Sequence, residues 1–271
     1  LSNWTNLEGK NYEETIFEFN KLDARFANLN KIQNVFLSSF FGKDESEIFF
    51  KELTSDKNTD FSRYNYFYAK YMQSIGKFKK AKNIIDNSLK KYPRNLLLNQ
   101  YKLDLKNSEN NFLFDFKKET HIIAEILYIV ANAFSSQSIY SISNFYLNLS
   151  KYLNKDFHAY DTLMAENFYN IDDFSNAKKI YRSLEDYGNA FKWYSNKQIS
   201  RILVKEEKKD EAIKLLKTTY NKLPFKEVYE TFDYAEFLKN NEEFEDSIKY
   251  YTYILNKIED DHPLYPEVTD G

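Results

Sequence analysis

Three histidines and several carboxylate clusters are the side chains in this sequence that could support acid–base or metal chemistry. His121, His158 and His262 lie far apart, and none is four residues from another, the spacing that puts two zinc ligands on one helix face. The segment 259–262 (Glu-Asp-Asp-His) is the densest set of possible ligands, but it lacks the alternating oxygens and the central glycine of a calcium loop. We therefore expect structural roles for the histidines and no metal site.

Nucleophilic and phosphate-binding chemistry is also unsupported. The chain has no cysteine, which removes thiolate nucleophiles, disulfides and cysteine-based zinc sites. No G-x-S-x-G, G-x-G-x-x-G or G-x-x-x-x-G-K-[ST] motif occurs. Asp172 and Asp173 begin a polar turn, not the D-D-x-x-D of a helical isoprenoid enzyme. The sequence predicts no catalytic residue, no cofactor and no enzymatic activity.

The elements that hold these side chains are predicted to be helices. The 271 residues include only 5 glycines and 4 prolines, where average usage would give roughly 19 and 14, so glycine-rich loops and β-sandwiches are disfavoured. The 24 Phe and 23 Tyr supply a core. The net charge of −3 gives no basic field for nucleic acid, and the most apolar stretch, 121–134, is too short to span a bilayer.

A repeat of small residues supports the helical interpretation. Ala69 and Ala81 lie twelve residues apart on either side of a predicted turn at Gly76, where two helices of a hairpin could cross closely. The same spacing recurs, in steps of 34 or 35 residues, in four later pairs: Ala131/Ser143, Ala165/Ala177, Ser200/Ala212 and Ala235/Ser247. Weaker copies centre on Thr15 and Ile48. We expect Asn, Asp and Lys to make most of the turns.

This layout resembles the tetratricopeptide repeat, a helix–turn–helix unit of 34 residues. Ala69, Ala81, Ser88 and Pro93 match the family's small residues and its proline, whereas Asn189 and Thr219 depart from the pattern in later copies. The resemblance implies an all-α fold, a right-handed solenoid of about seven antiparallel hairpins, or about 14 to 16 helices. It is closest to long bacterial arrays of the alphaproteobacterial type, which favours the cell envelope or periplasm over the cytoplasm.

The resemblance also predicts the domain organisation. We expect a single solenoid over residues 1–271, with both ends cut from a longer array, because residue 1 starts partway through a helix and 262–271 starts another. Residues 107–118 are either a linker that interrupts the array or part of a shortened repeat.

In this family the first helix of each hairpin lines a concave groove that binds extended peptides. Tyr and Arg are common at binding hot spots, and the alternative for each position is an ordinary solvated helix residue. Transferring the family's positions gives the predicted groove residues Arg63, Tyr66, Lys70, Gln73, Tyr128, Asn132, Glu166, Tyr169, Tyr194, Lys197, Arg201, Tyr229, Glu236 and Lys239.

We therefore expect a non-enzymatic scaffold for a protein or peptide. The alternative is a helical accessory segment of a larger enzyme or envelope assembly. Charge is uneven: 77–94 is basic, and 225–271 carries 13 acidic and 4 basic residues, which make either solvated faces or a polar docking patch. The oligomeric state is left open by the sequence.

Overall fold

The structure, a computed structural model, describes residues 3–5, 7, 9–21, 24–106, 113–224 and 226–270. Within these ranges the chain is all-α and contains no strand, which confirms the predicted fold class. The fifteen helices found there are α1 Tyr12–Phe19, α2 Ala27–Phe41, α3 Ser46–Ser55, α4 Ser62–Ser74, α5 Phe78–Lys91, α6 Leu96–Lys106, α7 Glu119–Ser136, α8 Tyr140–Leu153, α9 Ala159–Asn170, α10 Phe174–Leu184, α11 Asn189–Lys205, α12 Lys209–Lys222, α13 Val228–Asn240, α14 Phe244–Leu255 and α15 Tyr265–Thr269.

The helices form two compact units, Leu1–Ile171 (unit 1) and Asp172–Gly271 (unit 2). In unit 1, α2 packs on α3, α4 on α5 and α7 on α8. In unit 2, α11 packs on α12 and α13 on α14. Short turns join these pairs, so each is an antiparallel hairpin. The single array over 1–271 stays a prediction, and the predicted helix at residue 1 lies outside the described residues. None of the described helices combines the length and the apolar character needed to cross a membrane.

Close approach explains the repeated small residues. Ala69, Ala81, Ala212 and Ala235 are fully buried. At two of the serine positions the hydroxyl reaches the carbonyl twelve residues away on the facing helix: Ser200 Oγ donates to Ala212 O at 3.2 Å, and Ser247 Oγ donates to Ala235 O at 2.9 Å. A larger side chain at these positions would push the helices apart.

The turn that ends the first helix of each hairpin requires a left-handed residue. In the α4–α5 turn Gly76 has φ 79°, and Lys77 N donates to Met72 O at 2.8 Å, the long hydrogen bond of a Schellman motif. In the α11–α12 turn Glu207 has φ 61°, and Lys208 N donates to Leu203 O at 2.8 Å. The turns that follow α7, α9, α11 and α13 place non-glycine residues in the left-handed region: Ser138, Asp172, Glu207 and Glu242. Of these four left-handed residues only Asp172 is of a type predicted to make most turns, although Asp173, Lys208 and Asn241 stand beside the left-handed residue in their turns.

The left-handed residues in these turns lead to a prediction about stability. A left-handed residue with a Cβ is strained by about 1–2 kcal/mol. A glycine at this position would relieve the strain. Part of this stabilisation would be offset, because glycine gives the unfolded chain more conformational entropy to lose on folding. We expect Glu207→Gly to raise the free energy of unfolding by about 0.5–1 kcal/mol. The matched reverse change, Gly76→Ala, meets no atom within 4 Å of its new Cβ and should lower it by about 1 kcal/mol. Urea unfolding measures both, and destabilisation by Glu207→Gly would contradict the strain.

The core of each unit is aromatic. In unit 1, Phe67 lies within 6 Å of the rings of Phe36, Phe114 and Phe157. Phe114 belongs to the predicted linker, of which 107–112 lie outside the described residues. The described part, 113–118, therefore contributes to the core rather than running free over the surface. In unit 2, the rings of Tyr220 and Tyr234 stack at 4.5 Å beside Trp193.

Candidate functional site

Arg63, the first predicted groove residue, forms an internal ion pair. From α4, its Nε and Nη2 atoms donate to Glu125 Oε1 at 2.6 Å and to Oε2 at 2.8 Å, a bidentate pair with α7. The guanidinium also lies 3.8 Å from the centroid of the Tyr128 ring, a cation–π contact. Glu125 is 0% exposed and the Arg63 side chain 18%. The structure thus brings the predicted Arg63 and Tyr128 together around a buried carboxylate that the sequence did not reveal.

Burial and the mutual attraction of the two charges act in opposite directions on the ionisation of this pair. Burial alone would lower the pKa of Arg63, but the Glu125 carboxylate outweighs it and raises that pKa above its ordinary value. Burial also raises the pKa of Glu125, while Arg63 opposes this shift. Each partner therefore depends on the other to stay ionised inside unit 1.

Tyr66, Lys70 and Gln73 are buried against α6. Tyr101 donates from its hydroxyl to Gln73 Oε1 at 2.6 Å, and Lys70 Nζ lies 4.3 Å from the Tyr101 ring centroid. Burial lowers the pKa of Lys70 to about 8, and Asp104 acts in the opposite direction. These three predicted groove residues leave almost no surface to a partner, because α6 covers them.

The other predicted residues of unit 1 lie nearer the surface. Asn132 on α7 is exposed, and Glu166 and Tyr169 on α9 are half-buried. Asn132, Glu166 and Tyr169 therefore keep surface that a partner could contact.

In unit 2 an ion pair links the predicted residue Lys197 to an acidic residue of α13. Lys197 Nζ on α11 lies 2.6 Å from Asp233 Oδ2 on α13. The rings of Tyr194 and Tyr181 pack edge to face, with their centroids 5.9 Å apart. Arg201 is exposed, and its Nη1 donates to Gln198 Oε1 at 3.0 Å.

Along α13 the predicted residues are partly exposed. Tyr229 lies 5.8 Å from the His262 ring, and Tyr251 donates its hydroxyl to the Glu236 carboxylate. Lys239 Nζ lies 3.9 Å from Glu236 Oε1. We call the row formed by Tyr194, Lys197 and Arg201 on α11 and Tyr229, Glu230, Asp233, Glu236 and Lys239 on α13 the α11/α13 face.

Glu230 is a residue that the sequence patterns did not single out. Burial raises the pKa of its carboxyl. A hydrogen bond from its own backbone N–H opposes this shift, and the nearby carboxylates of Glu227 and Asp233 add to it. Its Oε2 atom is buried and has no hydrogen-bond partner among the described residues. The sequence does contain a signal that could have identified Glu230. An acidic residue occurs at every third position from the start of α13: Glu227, Glu230, Asp233 and Glu236. The transferred family positions include only the last of these.

The histidines make local contacts. His121 Nδ1 accepts a hydrogen bond from Asp115 N at 3.0 Å, and His262 Nδ1 accepts one from Leu264 N at 3.1 Å. His158 Nδ1 lies 3.7 Å from Asp161 Oδ2. Over the described ranges no group of three or more His, Asp or Glu side chains could hold a metal ion.

No family model matches the chain, and no curated protein matches it. Among solved structures, the crystal structure of the TPR domain of P58(IPK) is similar to this chain, with 16% sequence identity and a TM-score of 0.30. The match covers 91% of this chain and 79% of that chain.

Proposed function

We propose that this chain is a non-enzymatic scaffold that binds an extended peptide or protein segment on its α11/α13 face. The observation that supports this most is the row of partly exposed tyrosine and cationic side chains on two adjacent first helices, with an unsatisfied carboxylate among them. Tyrosine and arginine give large contact areas together with hydrogen bonds, which is why they dominate binding energy at interfaces. In unit 1 we propose the same role for Asn132, Glu166 and Tyr169.

We further propose that the bound segment carries lysine or arginine. Glu230 has a buried oxygen without a donor among the described residues, and a buried polar atom left unpaired costs about 1–3 kcal/mol. The nearby cation Lys197 already bonds Asp233 at 2.6 Å. A cation from a partner would draw the Glu230 side chain towards the surface, pair with its carboxylate and lower its raised pKa. Peptide binding would therefore weaken as the pH falls through that pKa.

Selection from a random peptide library tests this proposal. Dodecapeptides displayed on phage are selected on the immobilised chain, in parallel with Glu230→Gln and the matched control Glu211→Gln, an exposed carboxylate on α12. We expect the wild type and Glu211→Gln to enrich peptides rich in Lys and Arg, and Glu230→Gln to lose that enrichment. Synthetic versions of the enriched peptides should bind Glu230→Gln about tenfold more weakly, a loss of about 1.4 kcal/mol.

Two outcomes would contradict the proposal. One is enrichment of acidic or apolar peptides on the wild type. The other is equal enrichment of cationic peptides on all three proteins, since binding would then not involve Glu230.

A further inference from the structure

One face of α8 is apolar and exposed to solvent. Ile142, Phe145, Leu149 and Tyr152 lie along it, with exposures between 37% and 85%. The opposite side of α8 is buried against α7 and α9. The exposed residues are spaced by three, four and three positions, the a/d spacing of a helix that pairs with another helix. We call these four residues the α8 seam.

Four other second helices, α5, α10, α12 and α14, lack this complete apolar row at the equivalent positions, although α14 exposes Phe244, Ile248 and Tyr253. Aligned on the buried small residue at 81, 143, 177, 212 and 247, α8 has large apolar residues where its equivalents are mostly polar. The positions of Ile142, Phe145 and Leu149 are occupied by Lys80, Asn83 and Asn87 on α5, by Asn176, Lys179 and Ser183 on α10, by Glu211, Lys214 and Thr218 on α12, and by Asp246, Lys249 and Tyr253 on α14. The repeat itself therefore does not require apolar residues there, and the α8 seam needs another explanation.

The charge around the α8 seam restricts what could cover it. No charged residue occurs between Glu125 and Lys151, a stretch of 25 residues in a chain that is 29% charged. Lys151 Nζ itself lies 2.5 Å from Asp161 Oδ1 of the same chain. The seam offers a partner no charge to match, so its complement must be an equally uncharged apolar helix face. Charged patches of one sign repel their own copies, whereas this surface does not.

The spacing of the α8 seam is also self-complementary. In an antiparallel pair of seams whose two-fold axis crosses α8 at the height of Leu147, Ile142 lies opposite Tyr152 of the second copy, and Phe145 lies opposite Leu149 of the second copy. Both pairs are symmetric about the same residue, as a two-fold contact requires. Each of these pairs places an aromatic ring against a smaller aliphatic side chain, so that no two large rings occupy the same position and clash.

We propose that the α8 seam binds the α8 seam of a second copy of this chain, forming a two-fold dimer. The eight seam side chains form the apolar centre of the contact, and exposed polar residues such as Ser141 and Asn148 form its rim. The α8 seam belongs to unit 1 and shares no residue with the α11/α13 face of unit 2.

Sedimentation equilibrium of the full chain at several concentrations tests the dimer. We expect the wild type to approach twice the 32.5 kDa of the chain as concentration rises. Phe145→Asp should remain at 32.5 kDa, because two buried carboxylates would face the partner seam. Phe78→Asp is the matched control, since Phe78 is exposed to a similar extent on α5 of the same unit. It should sediment like the wild type.

A cross-linking variant keeps the test decisive if Phe145→Asp fails to fold. The chain has no cysteine, so a disulfide can form only between introduced thiols. Mixing Phe145→Cys with Leu149→Cys under mild oxidation should give a covalent dimer in higher yield than either variant alone.

Three results would overturn the proposal. They are a wild type that stays monomeric at every concentration, a dimer unaffected by Phe145→Asp, and equal yields of cross-linking in the mixed and single variants. A monomer that floats with phosphatidylcholine vesicles, and loses this with Phe145→Asp, would show that the seam binds lipid instead.

Discussion

Replacing Arg63 by alanine is expected to lower the free energy of unfolding of unit 1 by about 3–5 kcal/mol. The reason is that Glu125, fully buried on α7, would lose both of the hydrogen bonds that Arg63 donates. Tyr128 would also lose the guanidinium 3.8 Å from its ring centroid. An unpaired buried carboxylate must either take up a proton or draw in water, and both are unfavourable in an aromatic core.

The measurement can be restricted to unit 1. The chain has two tryptophans: Trp4 is buried in unit 1, and Trp193 lies in unit 2. In a Trp193→Phe background, Trp4 fluorescence during urea unfolding follows unit 1 alone. Lys82→Ala, which removes an exposed cation from α5 of the same unit, is the control and should change stability by less than about 0.5 kcal/mol.

A double variant separates the charge from the packing. Arg63→Met with Glu125→Leu removes both charges and keeps apolar volume, so most of the stability lost in Arg63→Ala should return. If Arg63→Ala costs no more than Lys82→Ala, the buried ion pair does not hold α4 to α7. The result also matters for binding studies, because a partner lost on Arg63→Ala would report misfolding rather than contact.

Phe114→Ala is expected to cost about 3–5 kcal/mol in the same assay. Phe114 is 2% exposed and contacts the rings of Phe36, Phe67 and Phe157. Its removal would leave a cavity among rings that come from α2, α4 and the segment before α9, and these rings cannot all move to fill it.

The control for Phe114→Ala is Phe78→Ala, because Phe78 is 56% exposed at the start of α5. It should change the free energy of unfolding by less than about 0.5 kcal/mol. Equal effects of the two substitutions would mean that 113–118 is a surface linker that adds nothing to the core.

The hairpins could be predicted from the sequence because their signal is local. Ala69 and Ala81, or Ser200 and Ala212, lie twelve residues apart, and that interval places them at the crossing of two joined helices. The turns were harder to predict. Glu207 occupies a left-handed position, and no local pattern in the sequence assigns such a position to glutamate.

The binding surface was less predictable because it depends on what covers each helix. Arg63 matches the transferred groove position, but its partner Glu125 lies 62 residues further on. Lys70 and Gln73 match as well, but α6 buries them. A repeat pattern assigns the same role to every copy, whereas burial depends on neighbours that differ between copies. Glu230 illustrates the opposite failure. It is not one of the transferred family positions, yet its carboxyl is largely buried in the folded chain.

The most direct test of the proposed scaffold is a fluorescence anisotropy titration of the best selected cationic peptide against three proteins. They are the wild type, Tyr229→Ala on the α11/α13 face, and the matched control Tyr253→Ala, an exposed tyrosine of the same unit on α14. Circular dichroism and urea unfolding first establish that all three are folded. We predict affinity at least about tenfold lower for Tyr229→Ala and unchanged for Tyr253→Ala. Equal affinity for all three proteins, or an equal loss in both variants, would contradict binding on the α11/α13 face.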